Sequence, residues 1–129
     1  MGKAFEREVA VRWRDSDALG HVNHAVFLTY LEEGRDAFFI RVLGSDPSYV
    51  VARIELDFRA EIRLADKQVT VWLEVESVGT TSLATRETIT LPSGEKAAEA
   101  RVVVVRWDTG QQQPTAFTDA ERRQLAGYA

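Results

Sequence analysis

The chain has 129 residues, 45% of them hydrophobic, which is enough for a single domain with a buried core. Its formal net charge of -4 excludes the generally basic surface of a nucleic-acid-binding protein. The absence of cysteine excludes disulfides, thiolate zinc ligands and cysteine nucleophiles, and it agrees with the cytoplasmic location that we expect. The polar N-terminal residues and the lack of an apolar run of ~20 residues predict neither a secretion signal nor a membrane span.

The first predicted element is a strand between Glu6 and Trp13. Val9, Val11 and Trp13 alternate there with polar or small residues, and this period of two is typical of a strand with one buried face.

An amphipathic helix of about four turns is predicted from Val26 onward. Asn23 is well placed to cap its N-terminus, and Gly44 and Pro47 mark its end. Gly34 lowers helix propensity by ~1 kcal/mol and so predicts a close approach of the helix to the sheet. The apolar stripe consists of Val26, Phe27, Tyr30, Leu31, Gly34, Ala37 and Phe38.

Four further strands and a short helix are predicted after it. The strands cover residues 52–64, 69–75, 83–91 and 97–107, with turns at Gly79, 92–94 and 108–110. The run Val102–Val105 is apolar on both faces, which predicts a central strand or a subunit contact. Thr118 and Glu121 have capping-box spacing. The sequence therefore predicts one α+β domain over residues 1–129, a curved antiparallel five-stranded sheet around one central helix.

The segment from Asp15 to His24 concentrates the polar residues that could carry chemistry. It holds Asp15, Asp17, Asn23 and both histidines of the chain, and it joins a strand to the start of the helix. A carboxylate beside the amides of a helix N-terminus has the parts needed for acyl transfer. The carboxylate attacks or activates water, and an amide near residues 22–24 polarises the carbonyl.

Simpler explanations of these residues stay open. Two aspartates two residues apart are common in solvated turns, and a histidine is often a structural hydrogen-bonding residue. Asp17, His21 and His24 could also bind a metal, although we expect no metal and no cofactor. No serine-hydrolase elbow, Walker loop or zincin helix is present.

The run from Trp13 to Leu28, WRDSDALGHVNHAVFL, continuing to Tyr30-Leu31-Glu32 and Arg35, resembles the signature of the 4-hydroxybenzoyl-CoA thioesterase group of hotdog-fold proteins. The resemblance implies a hotdog fold, a homodimer or homotetramer with sites between subunits, and hydrolysis of acyl-CoA or acyl-carrier-protein thioesters. It assigns Asp17 the role of nucleophile or general base. The His21-Val22-Asn23 segment is closer to the fatty-acyl carrier-protein enzymes, so a medium or long aliphatic acyl group is expected.

The remaining site residues are assigned as supporting groups. His21, Asn23 and His24 are expected to assist catalysis, with His24 acting more through its amide than its ring. The residues expected to contact the acyl group or the CoA phosphates are Gly20, Val22, Phe27, Tyr30, Leu31, Arg59, Arg63 and Arg86.

Two other functions on the same fold remain as alternatives. A hydratase or dehydratase of acyl thioesters has its histidine five residues after the aspartate and a second aspartate two further on, whereas here Asp17 and His21 are four apart and Asn23 follows. A non-catalytic module could bind an acyl or other hydrophobic ligand with the same helix and sheet.

Overall fold

The computed structural model describes residues 2–44 and 48–129, so Pro47, one of the two predicted helix-end markers, lies outside the described residues. Within the described ranges, the strands are β1 (Phe5–Ala10), β2 (Tyr49–Phe58), β3 (Gln68–Val78), β4 (Ser82–Thr90), β5 (Lys96–Asp108) and β6 (Gln113–Pro114). The helices are α1 (His24–Leu43) and α2 (Asp119–Ala126), with 3-10 turns at Trp13–Asp15 and Leu64–Asp66.

The strands form one antiparallel sheet in the order β1-β3-β4-β5-β2, with the two-residue β6 added beside β5. Alternate residues of β3, β4 and β5 are buried on the face that α1 covers. A curled antiparallel sheet around one long helix is the hotdog fold, so the predicted fold is confirmed. The prediction of five strands missed only β6.

Helix α1 is fixed at both ends and at its centre by contacts that the sequence predicted. The Ala25 amide donates to Asn23 Oδ1 at 2.9 Å, and Gly44 ends the helix with a φ of 68°. A Cβ built on Gly34 would lie 2.5 Å from Cγ1 of Val71 in β3, so any larger residue would push the helix off the sheet. The predicted helix cap and close approach are confirmed.

The capping box at the C-terminal helix is also present. The Glu121 amide donates to Thr118 Oγ1 at 3.1 Å, and the Thr118 amide donates to a Glu121 carboxylate oxygen at 2.8 Å. Leu125 of α2 is fully buried.

Several predicted strand boundaries were wrong. β2 begins at Tyr49 rather than Ala52, and β3 continues past Val75 to Val78. The first strand ends at Ala10, and Trp13 begins a 3-10 turn with 80% of its side chain exposed. The strand predicted over 52–64 ends at Phe58, because the Arg59 and Ala60 amides both turn to the Ala97 carbonyl. Apolar and charged side chains continue to alternate after Phe58. The backbone there, however, pairs with the Asp15–His24 segment, through a bridge between His21 and Arg63.

One buried ion pair under α1 was not predicted. Arg35 donates two hydrogen bonds to the Glu87 carboxylate of β4, at 2.8 and 3.0 Å, and Thr85 Oγ1 donates to the same carboxylate at 2.7 Å. All three side chains are buried. The charged pair is therefore satisfied within the core, which is the condition under which such a pair is tolerated there.

Candidate active site

A small hairpin over residues 16–22 carries Asp17. Ser16 and Val22 pair in an antiparallel bridge, and the Asp17 amide donates to the His21 carbonyl at 2.7 Å. The Gly20 amide donates to the Asp17 carbonyl at 3.1 Å, and Gly20 has a φ of 81°, which strongly favours glycine. Gly20, predicted to contact substrate, therefore fixes the path of the loop.

The Asp17 side chain is exposed and only partly engaged by the protein. Its Oδ1 accepts the Leu19 amide at 2.9 Å and the His21 amide at 3.2 Å. Its Oδ2 has no hydrogen-bond partner among residues 2–44 and 48–129. The carboxylate is thus oriented through one oxygen, while the other is free to meet a water or a substrate carbon.

Asp15, two residues earlier, is buried, and protein donors occupy its Oδ2. Its Oδ2 accepts the Tyr30 hydroxyl at 2.7 Å and the Arg12 amide at 2.9 Å. Burial alone raises the pKa of the Asp15 carboxyl, but these hydrogen bonds outweigh burial and leave that pKa below its usual range. Asp15 therefore joins the turn to helix α1.

Asp17 opens onto a cavity of about 350 Å³ between the hairpin, the start of α1 and the end of β2. One end of this cavity is polar and the other is aromatic. The lining residues are Asp17, His21, Val22, His24, Phe27, Phe58, Ala60 and Glu61.

Phe27, Phe58 and His24 form the aromatic side of the cavity. The rings of Phe27 and Phe58 meet edge to face with centroids 5.1 Å apart, and His24 and Phe58 do so at 6.2 Å. Phe58 is 51% exposed. Sequence analysis missed Phe58 as a site residue, because its role depends on where β2 ends.

The backbone amides at the start of α1 differ in their availability. The Val22 amide donates to the Ile62 carbonyl at 2.7 Å, and the Asn23 amide donates to the Asp15 carbonyl at 3.0 Å. For the His24 amide, the described part of the chain supplies no acceptor. Of the three amides predicted near the carbonyl, the His24 amide is the one left for a ligand.

His21 lies beside a carboxylate that sequence analysis did not select. Its Nε2 is 3.2 Å from Glu61 Oε2. The same oxygen accepts Arg63 Nη2 at 3.1 Å. Glu61 is one of several charged residues alternating along 52–64, and nothing local distinguishes it from the others.

Two of the predicted acyl-contact residues lie beneath the cavity wall. Tyr30 and Leu31 are fully buried, and neither lines the cavity. The Tyr30 hydroxyl is occupied by Asp15, and burial together with that hydrogen bond raises its pKa well above the usual range.

The three arginines predicted to meet CoA phosphates occupy different places. Arg63 is exposed and adjacent to the cavity, because its backbone forms a bridge with His21. Arg59 pairs with Glu99 at 3.1 Å. Arg86 lies on the outer face of the sheet, where it binds Glu76 at 3.1 Å beside a separate depression of about 420 Å³.

Two further features of the described residues concern metal binding and membrane spanning. The ranges 2–44 and 48–129 contain no cluster of three or more histidine and acidic side chains arranged to hold a metal ion. In the same ranges, no helix combines the length and the apolar character needed to cross a membrane.

Comparison with known proteins gives the family. Residues 11–125 match the model of the Thioesterase-like superfamily, and the chain belongs to that family. A thioesterase from Thermus thermophilus, solved with coenzyme A and Zn, is 36% identical over 95% of this chain and 92% of that one, with a TM-score of 0.82. A predicted thioesterase from Bacillus stearothermophilus is 26% identical over 98% and 97%, with a TM-score of 0.88. The uncharacterized protein YsmA of Bacillus subtilis is 24% identical over 95% of this chain and 85% of its own length.

Proposed function

We propose that the protein hydrolyses an acyl-CoA or acyl-carrier-protein thioester, with Asp17 as nucleophile or general base, as in the 4-hydroxybenzoyl-CoA thioesterase group. The observation that carries the proposal is the free oxygen of the Asp17 carboxylate at a cavity with an aromatic wall. Membership of the Thioesterase-like superfamily and the coenzyme A in the Thermus relative support this reaction class.

The proposed reaction uses the Asp17 carboxylate and the His24 backbone amide. Asp17 Oδ2 either attacks the thioester carbon or takes a proton from the water that attacks it. The His24 amide donates to the carbonyl oxygen as it becomes negative, and such a donor typically contributes ~3 kcal/mol to the transition state. The C–S bond then breaks and the thiolate leaves. In the nucleophilic route, water afterwards hydrolyses the acyl-Asp17 anhydride.

The acyl group is proposed to lie against Phe27 and Phe58. This wall is apolar, while Asp17 and Glu61 supply carboxylates, and none of the described residues that line the cavity is a lysine or an arginine. An uncharged acyl group fits this lining better than one that ends in a carboxylate. Arg63 is the arginine best placed to meet a CoA phosphate, since its backbone pairs with His21.

The proposed active unit is at least a homodimer. β2 is an edge strand of the sheet, and Val50, Val51 and Phe58 on it are 40%, 42% and 51% exposed. A long edge strand with exposed apolar side chains is a surface that another chain can pair with. Because Phe58 also lines the cavity, a partner along β2 would border the site. Light scattering at micromolar concentration should give a dimer or larger, and a fully active single-chain mass would contradict this.

A panel of acyl-CoA substrates with free-thiol detection tests the reaction. The proposal expects release of CoA from at least one acyl-CoA or of thiol from one acyl-carrier protein. Hydration of an enoyl thioester without thiol release would point to a hydratase. Saturable binding of acyl-CoA without turnover would point to a ligand-binding module.

Phe27→Leu tests the proposed acyl wall. The smaller side chain should shift the preferred acyl length or shape, because it enlarges the aromatic end of the cavity. A loss of kcat/KM by the same factor for every substrate, together with a lower melting temperature, would indicate simple destabilisation of the core.

A further inference from the structure

Glu61 lies at the polar end of the cavity, next to the His21 ring. It lines the cavity together with Asp17 and His21, and its Oε2 is 3.2 Å from His21 Nε2. The side chain is 54% exposed and forms part of no hydrophobic cluster. Its position is therefore not explained by packing.

Backbone pairing sets the position of Glu61. His21 and Arg63 form an antiparallel bridge, and the neighbouring Val22 amide donates to Ile62. In an extended segment, residues two apart project to the same side, so Glu61 and Arg63 both face the His21 ring. Arg63 Nη2 donates to Glu61 Oε2 at 3.1 Å and holds the carboxylate in place.

This contact determines the protonation pattern of a neutral His21 ring. A carboxylate accepts hydrogen bonds and donates none, so the ring proton belongs on Nε2, facing Glu61. Nδ1 is then left as an acceptor. Within residues 2–44 and 48–129, nothing donates a hydrogen bond to Nδ1.

We propose that Glu61 is a positioning residue that fixes the orientation and the Nε2–H tautomer of His21, so that Nδ1 accepts a hydrogen bond from the attacking water or the substrate. The inference rests on the proposed function for its role in turnover. It assigns Glu61 the part that a buried aspartate has in a serine-protease triad, which is to orient a histidine without taking its proton. Here the orienting carboxylate is exposed and is held by an arginine.

The positional half of the proposal is tested without any substrate. Long-range ¹H–¹⁵N spectra of the histidine rings report tautomers, and the chain has only two histidines, so His24→Ala assigns the signals. At a pH where His21 is neutral, the wild type should show the Nε2–H tautomer, and Glu61→Ala should show a mixture. The same tautomer population in both proteins would overturn the proposal.

The catalytic half is tested by a double-mutant cycle between Glu61 and His21. Glu61→Ala should lower kcat about tenfold with little change in KM or melting temperature, because the His21 ring is no longer held in one orientation. In the His21→Ala background, the same change should alter kcat less than about twofold. Glu61→Gln, which retains an acceptor oxygen, should recover most of the lost kcat.

Glu33→Ala is the matched control. Glu33 is 43% exposed and pairs with Arg12 at 3.2 Å, so it resembles Glu61 in exposure and in its arginine partner, but it lies on α1 and does not line the cavity. Its removal should leave kcat unchanged. Equal losses for Glu61→Ala with and without His21 would overturn the positioning role. If the wild type releases no thiol from any substrate, the proposed function fails, and the tautomer spectra still decide whether Glu61 positions His21.

Discussion

The polar groups beneath helix α1 and those around the cavity have the same chemistry but opposite surroundings. Asp15 and the Arg35–Glu87 pair are buried, and each carboxylate has several protein donors. Asp17 and Glu61 are exposed, and Asp17 keeps one oxygen unoccupied. A buried carboxylate that accepts several protein donors stabilises a fold, whereas an exposed one with an unoccupied oxygen can act on a ligand. Variants of the two regions should therefore separate stability from turnover.

The largest expected effect on stability comes from Glu87→Ala. The change leaves the Arg35 guanidinium buried without its partner, which typically destabilises a protein by ~3–5 kcal/mol. Urea unfolding of the variant measures the loss. The double variant Arg35→Met, Glu87→Leu removes both charges and should regain most of it. A single variant as stable as the wild type would mean that the pair contributes nothing to holding α1 on the sheet.

Asp15→Asn should have the next largest effect, about 2 kcal/mol near pH 7, because hydrogen bonds to an ionised group are lost. The pKa of Asp15 is lower in the folded state than its usual value, so its contribution is full above the unfolded pKa of about 4 and disappears as the pH falls through the folded pKa. The stability gap between wild type and variant should narrow in acid. A stability difference that stays constant with pH would show that the charge of the Asp15 carboxylate is not the source of the stabilisation.

Asn23→Ala should have the smallest effect on stability, about 1 kcal/mol, since it removes the side-chain cap on the Ala25 amide. Asn23 does not line the cavity, so turnover at a temperature where the variant is folded should change only a few-fold. A loss of kcat near ~100-fold would assign Asn23 a direct part in the reaction.

The sequence was informative where structure depends on neighbours along the chain. Three features follow from local rules, and all three are present. They are the helix cap at Asn23, the close approach of α1 to the sheet at Gly34, and the capping box at Thr118. The alternation in β3 to β5 likewise identified the buried face.

Features that depend on distant residues were not predictable in the same way. The exposure of Trp13, the end of β2 at Phe58 and the Glu61–His21 contact all follow from which segments pair across the sheet. The ion pair between Arg35 and Glu87 joins residues far apart in sequence, and a charged residue on a helical stripe resembles a solvated one until the strand beneath it is known. The motif predicted where the candidate site lies, but not which residues from the end of β2 and beyond line the cavity with it.

The proposed catalytic role of Asp17 is tested most directly by steady-state thiol release from Asp17→Asn and Asp15→Asn, at a temperature where melting curves show both variants folded. Asp17→Asn keeps the size of the side chain and removes its basicity, so kcat should fall at least ~100-fold with KM little changed. Asp15→Asn should keep kcat within a few-fold and lose stability instead. Near-normal turnover by a folded Asp17→Asn variant would contradict a catalytic role for Asp17, and a reversal of the two results would move that role to Asp15.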